Sequence, residues 1–258
     1  MLRGLYTAWT GMRNEQKRLD VISNNMANSN TVGYKDEKVA SQAFDQVLGI
    51  KIRDGSQAYH NERIGTLSLG VKIGETYTDY SQGSIRQTGG TYDLALSGSG
   101  FFTVSVTDKA GVVHTRYTRD GRFMLTREGL LVDADGNPVQ GENGNIVIDP
   151  SAKSVTISDT GVITADGETI DTLQIVDFED YDYLYKYGDT MYEPVDGATF
   201  RDAAAEVIQG YTEQSNVNVV SEMVDMITIT RAYEASQKVI RSYDSMLNNA
   251  VNQVGRLS

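Results

Sequence analysis

The sequence has no cysteine. That removes disulfides, thiolate metal sites and cysteine nucleophiles together, and it leaves the redox compartment unread. Histidine is nearly as scarce. His60 and His114 are the only two, and they do not form an H-E-x-x-H spacing, so a histidine zinc site is not expected. No apolar run reaches the roughly 18 residues that a transmembrane helix needs. Residues 1–9 are too polar and interrupted to serve as a signal-peptide core. The chain is therefore expected in the cytoplasm, or exported by a route that reads no cleaved signal. Basic charge is in deficit, 23 Lys and Arg against 35 Asp and Glu, for a net charge of −12. Such a field argues against a nucleic-acid partner. There is no nucleophile elbow, and Gly98-Ser99-Gly100 lacks the Lys-Ser/Thr of a P-loop and precedes a strand rather than a helix. Acidic pairs such as Glu179-Asp180 and Asp133/Asp135 fall in turns of an acidic surface, where they read as solvated rather than as acid–base or calcium groups. No enzyme, metal or cofactor is expected.

What is present is patterned helix at both ends. The 258 residues suffice for one large domain or two small ones. Residues 1–28 carry a net +2, residues 211–258 a net −1, and the stretch between them −13. That split points to packed ends and a solvated centre. Residues 215–257 contain no proline and a single glycine, Gly255. Apolar side chains recur there at steps of four and three: Val219, Met223, Met226, Tyr233, Ile240, Leu247, Val251 and Val254. Thr230, Gln237 and Asp244 complete the seam. This is a heptad repeat of about five turns of the pattern, which predicts a helix seeking a partner along its whole length. Leu5, Met12, Leu19 and Met26 fall seven apart at the other end, with Ala8 and Ile22 at the intervening positions and Glu15 breaking the set. The second helix is predicted to stop in an asparagine-rich stretch, since Asn competes with the backbone for hydrogen bonds and tolerates the left-handed region.

Between the helices the pattern changes. Phe44, Val47, Leu48 and Ile50 fit a short helix or an extended clip. Leu67, Leu69, Val71 and Ile73 alternate with smaller or polar residues and predict a strand. Residues 93–177 are β-rich, with Asp-Gly and Asn-Gly pairs at 120–121, 135–136, 143–144 and 166–167 supplying the positive φ that tight hairpins demand. Many short strands at close spacing predict an antiparallel barrel or sandwich. Tyr181, Tyr183, Tyr185, Tyr187 and Tyr192 then read as strand-end and loop packing. The predicted class is α+β: an N-terminal core helix at 1–30, an extended arm at 31–90, a β-rich outer domain at 91–205 and a C-terminal core helix at 206–258. The two helices form a coiled-coil-like core, and the excess length of the last one argues for self-assembly.

Specific residues carry a resemblance. Asn24-Asn25-Met26-Ala27-Asn28-Ser29-Asn30-Thr31-Val32-Gly33-Tyr34-Lys35 resembles the N-terminal signature of bacterial flagellar rod and hook proteins. Asp93-Leu94-Ala95-Leu96, with Gly100-Phe101-Phe102, resembles the start of that family's β-domain, and Tyr117-Thr118-Arg119-Asp120-Gly121-Arg122-Phe123 continues it. Ser215-Asn216-Val217, Glu222-Met223-Val224 and Arg231-Ala232-Tyr233-Glu234 match its C-terminal helix. The likeness covers essentially the whole chain. It implies a structural subunit that self-assembles into a helical tube, its end helices innermost around an export channel. It further implies neighbouring rod and hook proteins as partners, with no nucleic acid and no membrane insertion. Export through the flagellar type III apparatus, aided by chaperone-like factors, would deliver it to the basal body. Length and the arm at 45–75 are more like distal rod subunits than proximal ones or the longer hook proteins. On this view the assembly residues are Leu5, Met12, Leu19 and Met26, then Asn28, Thr31, Gly33 and Tyr34 where the arm leaves the helix, and Val219, Met223, Met226, Tyr233, Ile240 and Leu247. A secreted β-rich adhesin is the rival from another class, and it leaves the heptad helices unexplained.

Overall fold

A computed structural model describes residues 2–51, 62–109 and 111–254. The class is α+β, with a mostly antiparallel β-rich body and one helix towards each end. The chain divides into two compact units. The terminal unit takes its described residues from Met1–Met26, Glu37–Thr78 and Val219–Ser258, and the body unit from Ala27–Asp36 and Asp79–Asn218.

In the terminal unit, α1 spans Leu2–Ala27 and α2 spans Val219–Asn249, which is 31 residues. At about 1.5 Å per residue α2 is about 46 Å long. A wider π-type turn, Ala250–Val254, follows it. The arm is strand rather than helix: β1 (Asp36–Ala43) pairs with β4 (Val71–Asp79), and β2 (Val47–Lys51) pairs antiparallel with β3 (Glu62–Leu67). The alternation at 67–73 predicts one continuous strand, but the structure breaks it after Leu67. Gly70 sits there at φ +129°, and a Cβ on it would stand 2.1 Å from Thr10 Oγ1. The chain turns at that point to pass close to α1. His60 lies outside the described residues.

The body holds a six-stranded antiparallel sheet in the order Leu184–Tyr187, Met191–Pro194, Val113–Thr118, Phe101–Thr107, Ile175–Phe178, Phe200–Asp202. Strand Leu94–Ser99 pairs with Ala204–Gln209, so the β-structure runs past residue 205 and the last helix begins only at Val219. Side chains alternate across a strand. Adjacent Phe101 and Phe102 therefore serve two different cores. Phe102 joins Leu94, Leu96, Val104, Leu131 and Ile163, all nearly inaccessible to solvent. Phe101 joins Tyr117, Phe178 and Tyr192. Of the tyrosine group, Tyr181 and Tyr192 pack against Tyr80, whereas Tyr183, Tyr185 and Tyr187 are exposed. The turn chemistry holds at Asp166-Gly167, where φ is +51° and +91° within a hairpin. It does not hold at Gly121. That residue has no positive φ and is there for contact: a Cβ would stand 1.7 Å from Leu94 O.

Candidate functional site

Two features carry chemistry beyond packing: the faces of the terminal helices, and a buried ionic junction in the body. The helices come first. A Cβ on Gly4 would stand 2.2 Å from Tyr243 Oη, and one on Gly11 3.7 Å from Ser236 Oγ. Asn25 Nδ2 donates to Glu222 Oε2 at 3.4 Å. As residue numbers rise along α1 they fall by equal steps along α2, so the two helices run antiparallel in fixed register. The side of α2 turned to α1 is thus marked by Glu222, Ser236 and Tyr243, with Ile229 buried between them. Each of these four lies one residue before an expected seam position. Val219, Met226, Tyr233 and Ile240 are half-buried, as are Leu5, Met12, Leu19 and Met26 on α1. Met223 and Leu247 are exposed, at 48% and 42%. Sequence periodicity missed Gly4 and Gly11, whose seven-residue spacing marks where α1 can approach closely, because an apolar count gives glycine no weight.

The helix junction is pinned by polar groups. Asn25, 1% exposed, donates from Nδ2 to Glu37 O at 2.8 Å and accepts from Glu37 N at 3.1 Å. One amide side chain so completes both backbone groups of a strand residue.

The signature after α1 closes the body. Thr31 N donates to Asn28 O, and Thr31 Oγ1 to Asn28 Oδ1, each at 3.0 Å. Gly33 takes φ +70°, donates its N–H to Glu213 O at 2.9 Å, and leaves no room for a Cβ, which would stand 2.3 Å from Asp120 N. Tyr34 is fully buried, with Lys186 Nζ 4.0 Å from its ring centre. Lys35 is buried too. Its Nζ donates to Ser81 O at 2.7 Å and to Glu213 Oε1 at 2.6 Å. Arg119 Nη1 reaches Glu213 Oε2 at 3.3 Å, Arg119 Nη2 reaches Gly98 O at 2.9 Å, and Gly83 N donates to Glu213 Oε1 at 2.9 Å. Arg119 also stands 5.2 Å from the Phe101 ring centre. Two cations therefore share one carboxylate, with no solvent access to Glu213. Burial pulls the Lys35 pKa below its usual value, and the charge and hydrogen bond of Glu213 oppose that pull. Asn216 closes the remaining gap, accepting from Asp36 N at 2.8 Å and donating to Asp79 O at 2.8 Å.

This arrangement ties together five passages of the chain: 33–36, 79–83, Gly98, Arg119 and 213–216. Its groups point at one another and not into a cleft, so it suits clamping rather than turnover. Among the described residues no group of acidic or histidine side chains is placed to hold a metal. The open groove between Thr115, Gln140, Thr172, Gln174 and Phe200 gathers no such constellation.

Comparison with known proteins matches the same segments. Residues 5–35 match a family described as flagella basal body rod protein, residues 95–165 the flagellar hook protein FlgE/F/G D1 domain, and residues 208–253 the flagellar basal body rod FlgEFG protein C-terminal. The flagellar basal-body rod protein FlgG of Bacillus subtilis is 35% identical over 277 residues, 98% of this chain and 99% of its own length. FlgG of Caulobacter vibrioides is 35% identical over 95% of this chain and 97% of its own. The flagellar basal-body rod protein FlgF of Caulobacter vibrioides is 32% identical over the whole of both chains.

Proposed function

Because this chain belongs to the flagellar basal-body rod protein family, we propose that it builds the rod by self-assembly into a helical tube. It is a structural subunit of the rod and works in the basal body with other rod and hook proteins. In the proposed tube the terminal helices form a coiled-coil-like inner wall around an export channel, and the body faces outward. The observation that carries this reading is the bareness of α2. Among its described residues only Glu222 and Ile229 are buried. A long helix in water draws its stability chiefly from packing an apolar face. Val224 and Ile227 are more than half exposed, and neighbouring copies would cover them.

Within the family we assign the distal rod. Support comes from the FlgG proteins of Bacillus subtilis and Caulobacter vibrioides, both 35% identical over nearly the full chain. A proximal position is the second reading, supported by the full-length match to FlgF at 32%. Delivery is assigned to the flagellar type III route with chaperone-like export factors, as the family resemblance implies. No helix among the described residues is long and apolar enough to cross a membrane.

Cryo-EM of basal bodies from a strain carrying only a truncation at residue 230 tests the assembly reading. The expected result is loss of the rod and of motility with the body still folded in the purified protein. Intact rods built from the truncated chain would sink it. Locating the full chain near the hook or near the membrane decides between distal and proximal.

A further inference from the structure

Among the described residues the helix pair carries two exposed apolar patches, and they lie at opposite ends of it. On α1, Tyr6 is 55% and Trp9 43% exposed, with ring centres 5.8 Å apart, and the Arg13 guanidinium stands 5.7 Å from the Trp9 ring centre. On α2, Val220 is 72%, Met223 48%, Val224 57% and Ile227 54% exposed. Gly11 faces Ser236, so Trp9, two residues earlier, is level with Lys238, two residues later. The α2 patch is centred near Met223, about 22 Å away along the axis at about 1.5 Å per residue. At ~100° per residue, Tyr6, Trp9 and Arg13 lie on the side of α1 turned away from Gly4 and Gly11, and the α2 patch is likewise turned away from Glu222 and Ile229.

Two patches placed this way limit how copies can meet. A two-fold contact of the α1 patch with itself leaves the α2 patch bare. A head-to-tail contact covers both with one repeating interface, which builds an open helical filament wherever its rotation does not close into a ring. The chemistry of the two surfaces agrees. The first is aromatic and cationic: Arg13 and Lys17 are exposed with no carboxylate partner among the described residues. The second is aliphatic and thioether, a good match for aromatic rings. It is flanked by Asp225, exposed and without a cationic partner among the described residues. A hollow of ≈ 250 Å³ opens beside Trp9, lined by Thr10, Arg13, Phe44 and Val71, and it offers a socket for an aliphatic side chain.

We propose that Tyr6 and Trp9 of one copy dock on the Val220–Ile227 face of the next copy, with Arg13 carried to Asp225. The occupant of each patch is thus a second copy of this chain, displaced sideways across the helix pair and by about 22 Å along it. This rests on the self-assembly reading above and specifies its repeating contact.

The absence of cysteine makes a clean test possible. Trp9→Cys and Ile227→Cys are introduced singly and together in the full chain, rods are assembled from purified protein, and the product is oxidised. Within one chain the two positions are about 16 Å apart along the pair, beyond the ~7 Å that a disulfide spans. The expected result is a ladder of covalent multimers from the double variant and monomer from each single one. Rods without a ladder, or dimers from Trp9→Cys alone, overturn the proposal and leave self-assembly standing. Failure of the unsubstituted chain to form rods overturns both. As a second measurement, Arg13→Asp should raise the concentration needed for assembly about fivefold, and adding Asp225→Arg should restore it. Rods from the double variant no easier to form than from Arg13→Asp alone would remove the ionic part of the contact.

Discussion

The two units of this chain solve opposite problems. In the body, phenylalanines 101, 102 and 178 and leucines 94, 96 and 131 are each at or below 1% exposure. In the terminal unit the buried apolar side chains among the described residues are Val21, Ile22 and Ile229, and they are outnumbered by buried Thr10, Asn14, Asn25 and Glu222. Each fully buried Val, Leu, Ile or Phe contributes about 1.5–3 kcal/mol. The body thus supplies its own stability. The terminal unit uses polar pins to set register and keeps its apolar surface outward. On the proposed assembly, the difference teaches where the rod would store its assembly energy: in the exposed faces of the terminal helices. The stretch Asn28–Lys35 must end a helix and enter a finished core within a few residues, and so it is crowded with groups that have one permitted place.

The largest expected effect breaks the body's side of this comparison. Glu213→Ala leaves Lys35 and Arg119 buried beside each other without a counter-charge. Removing one partner of a buried ion pair costs about 3–5 kcal/mol. For a unit of this size the body's melting temperature should fall by about 10 °C, read by calorimetry. Replacing Lys35, Arg119 and Glu213 together with Met, Met and Leu, so that no buried charge is left unpaired, should recover much of the loss. A single variant that melts with the wild type would remove the triad from the account of stability. Next comes Gly33→Val, which forces a β-branched side chain into the left-handed region and its Cβ against the Asp120 backbone. A cost of about 3 kcal/mol is expected, together with loss of rods at temperatures where the body is still folded. Normal rods from this variant would remove Gly33 from the proposed assembly residues.

A smaller effect sharpens the terminal side. Asn25→Ala deletes the amide that satisfies both backbone groups of Glu37, and a buried group left unpaired costs about 1–3 kcal/mol. Amide exchange should quicken at Glu37, while the Phe101–Thr107 strand keeps its protection. Equal quickening in both places would mean that the two units open together.

Much of this was legible in the sequence. Heptads at both ends, short strands between them and the helix stop at the asparagines all follow from period and turn chemistry. The family is legible by resemblance instead, because Gly33-Tyr34-Lys35 and Gly100-Phe101-Phe102 are specific strings. What periodicity hid is of three kinds. Period puts Met223 in the seam because methionine is apolar, whereas the place turned to α1 within the chain belongs to Glu222 beside it, which accepts from Asn25. Glu213 looked like one more acid in an acidic chain, since its two cationic partners lie 178 and 94 residues away. Gly121 carried the mark of a hairpin and serves a close contact, a distinction that depends on Leu94 and not on the dipeptide. In each case a partner distant in sequence decided the role, and a local pattern contains no trace of it.

The smallest expected effect concerns acid, and it separates the two units by their titration. Asp177 is inaccessible to solvent and pairs with Arg201 and with the Tyr181 hydroxyl, which donates at 2.8 Å. Burial alone would raise its pKa. Hydrogen bonds from Arg201, Tyr181 and the Phe178 amide outweigh it and hold the carboxyl below its usual 3.8. Between the folded value and 3.8 the unfolded chain binds more protons than the folded one, so stability rises with pH there. The contribution is complete above 3.8 and disappears as the pH falls through the folded value. Arg201→Gln removes one of the outweighing bonds and should move the acid midpoint of the body upward. Amide protection of the Phe101–Thr107 strand reports that midpoint, and amide protection within Val219–Asn249 follows the helix. The helix transition should stay in place, because Asp177 and Arg201 both belong to the body. If the two transitions move together, the self-sufficient body and the neighbour-dependent helices are one cooperative unit in the monomer.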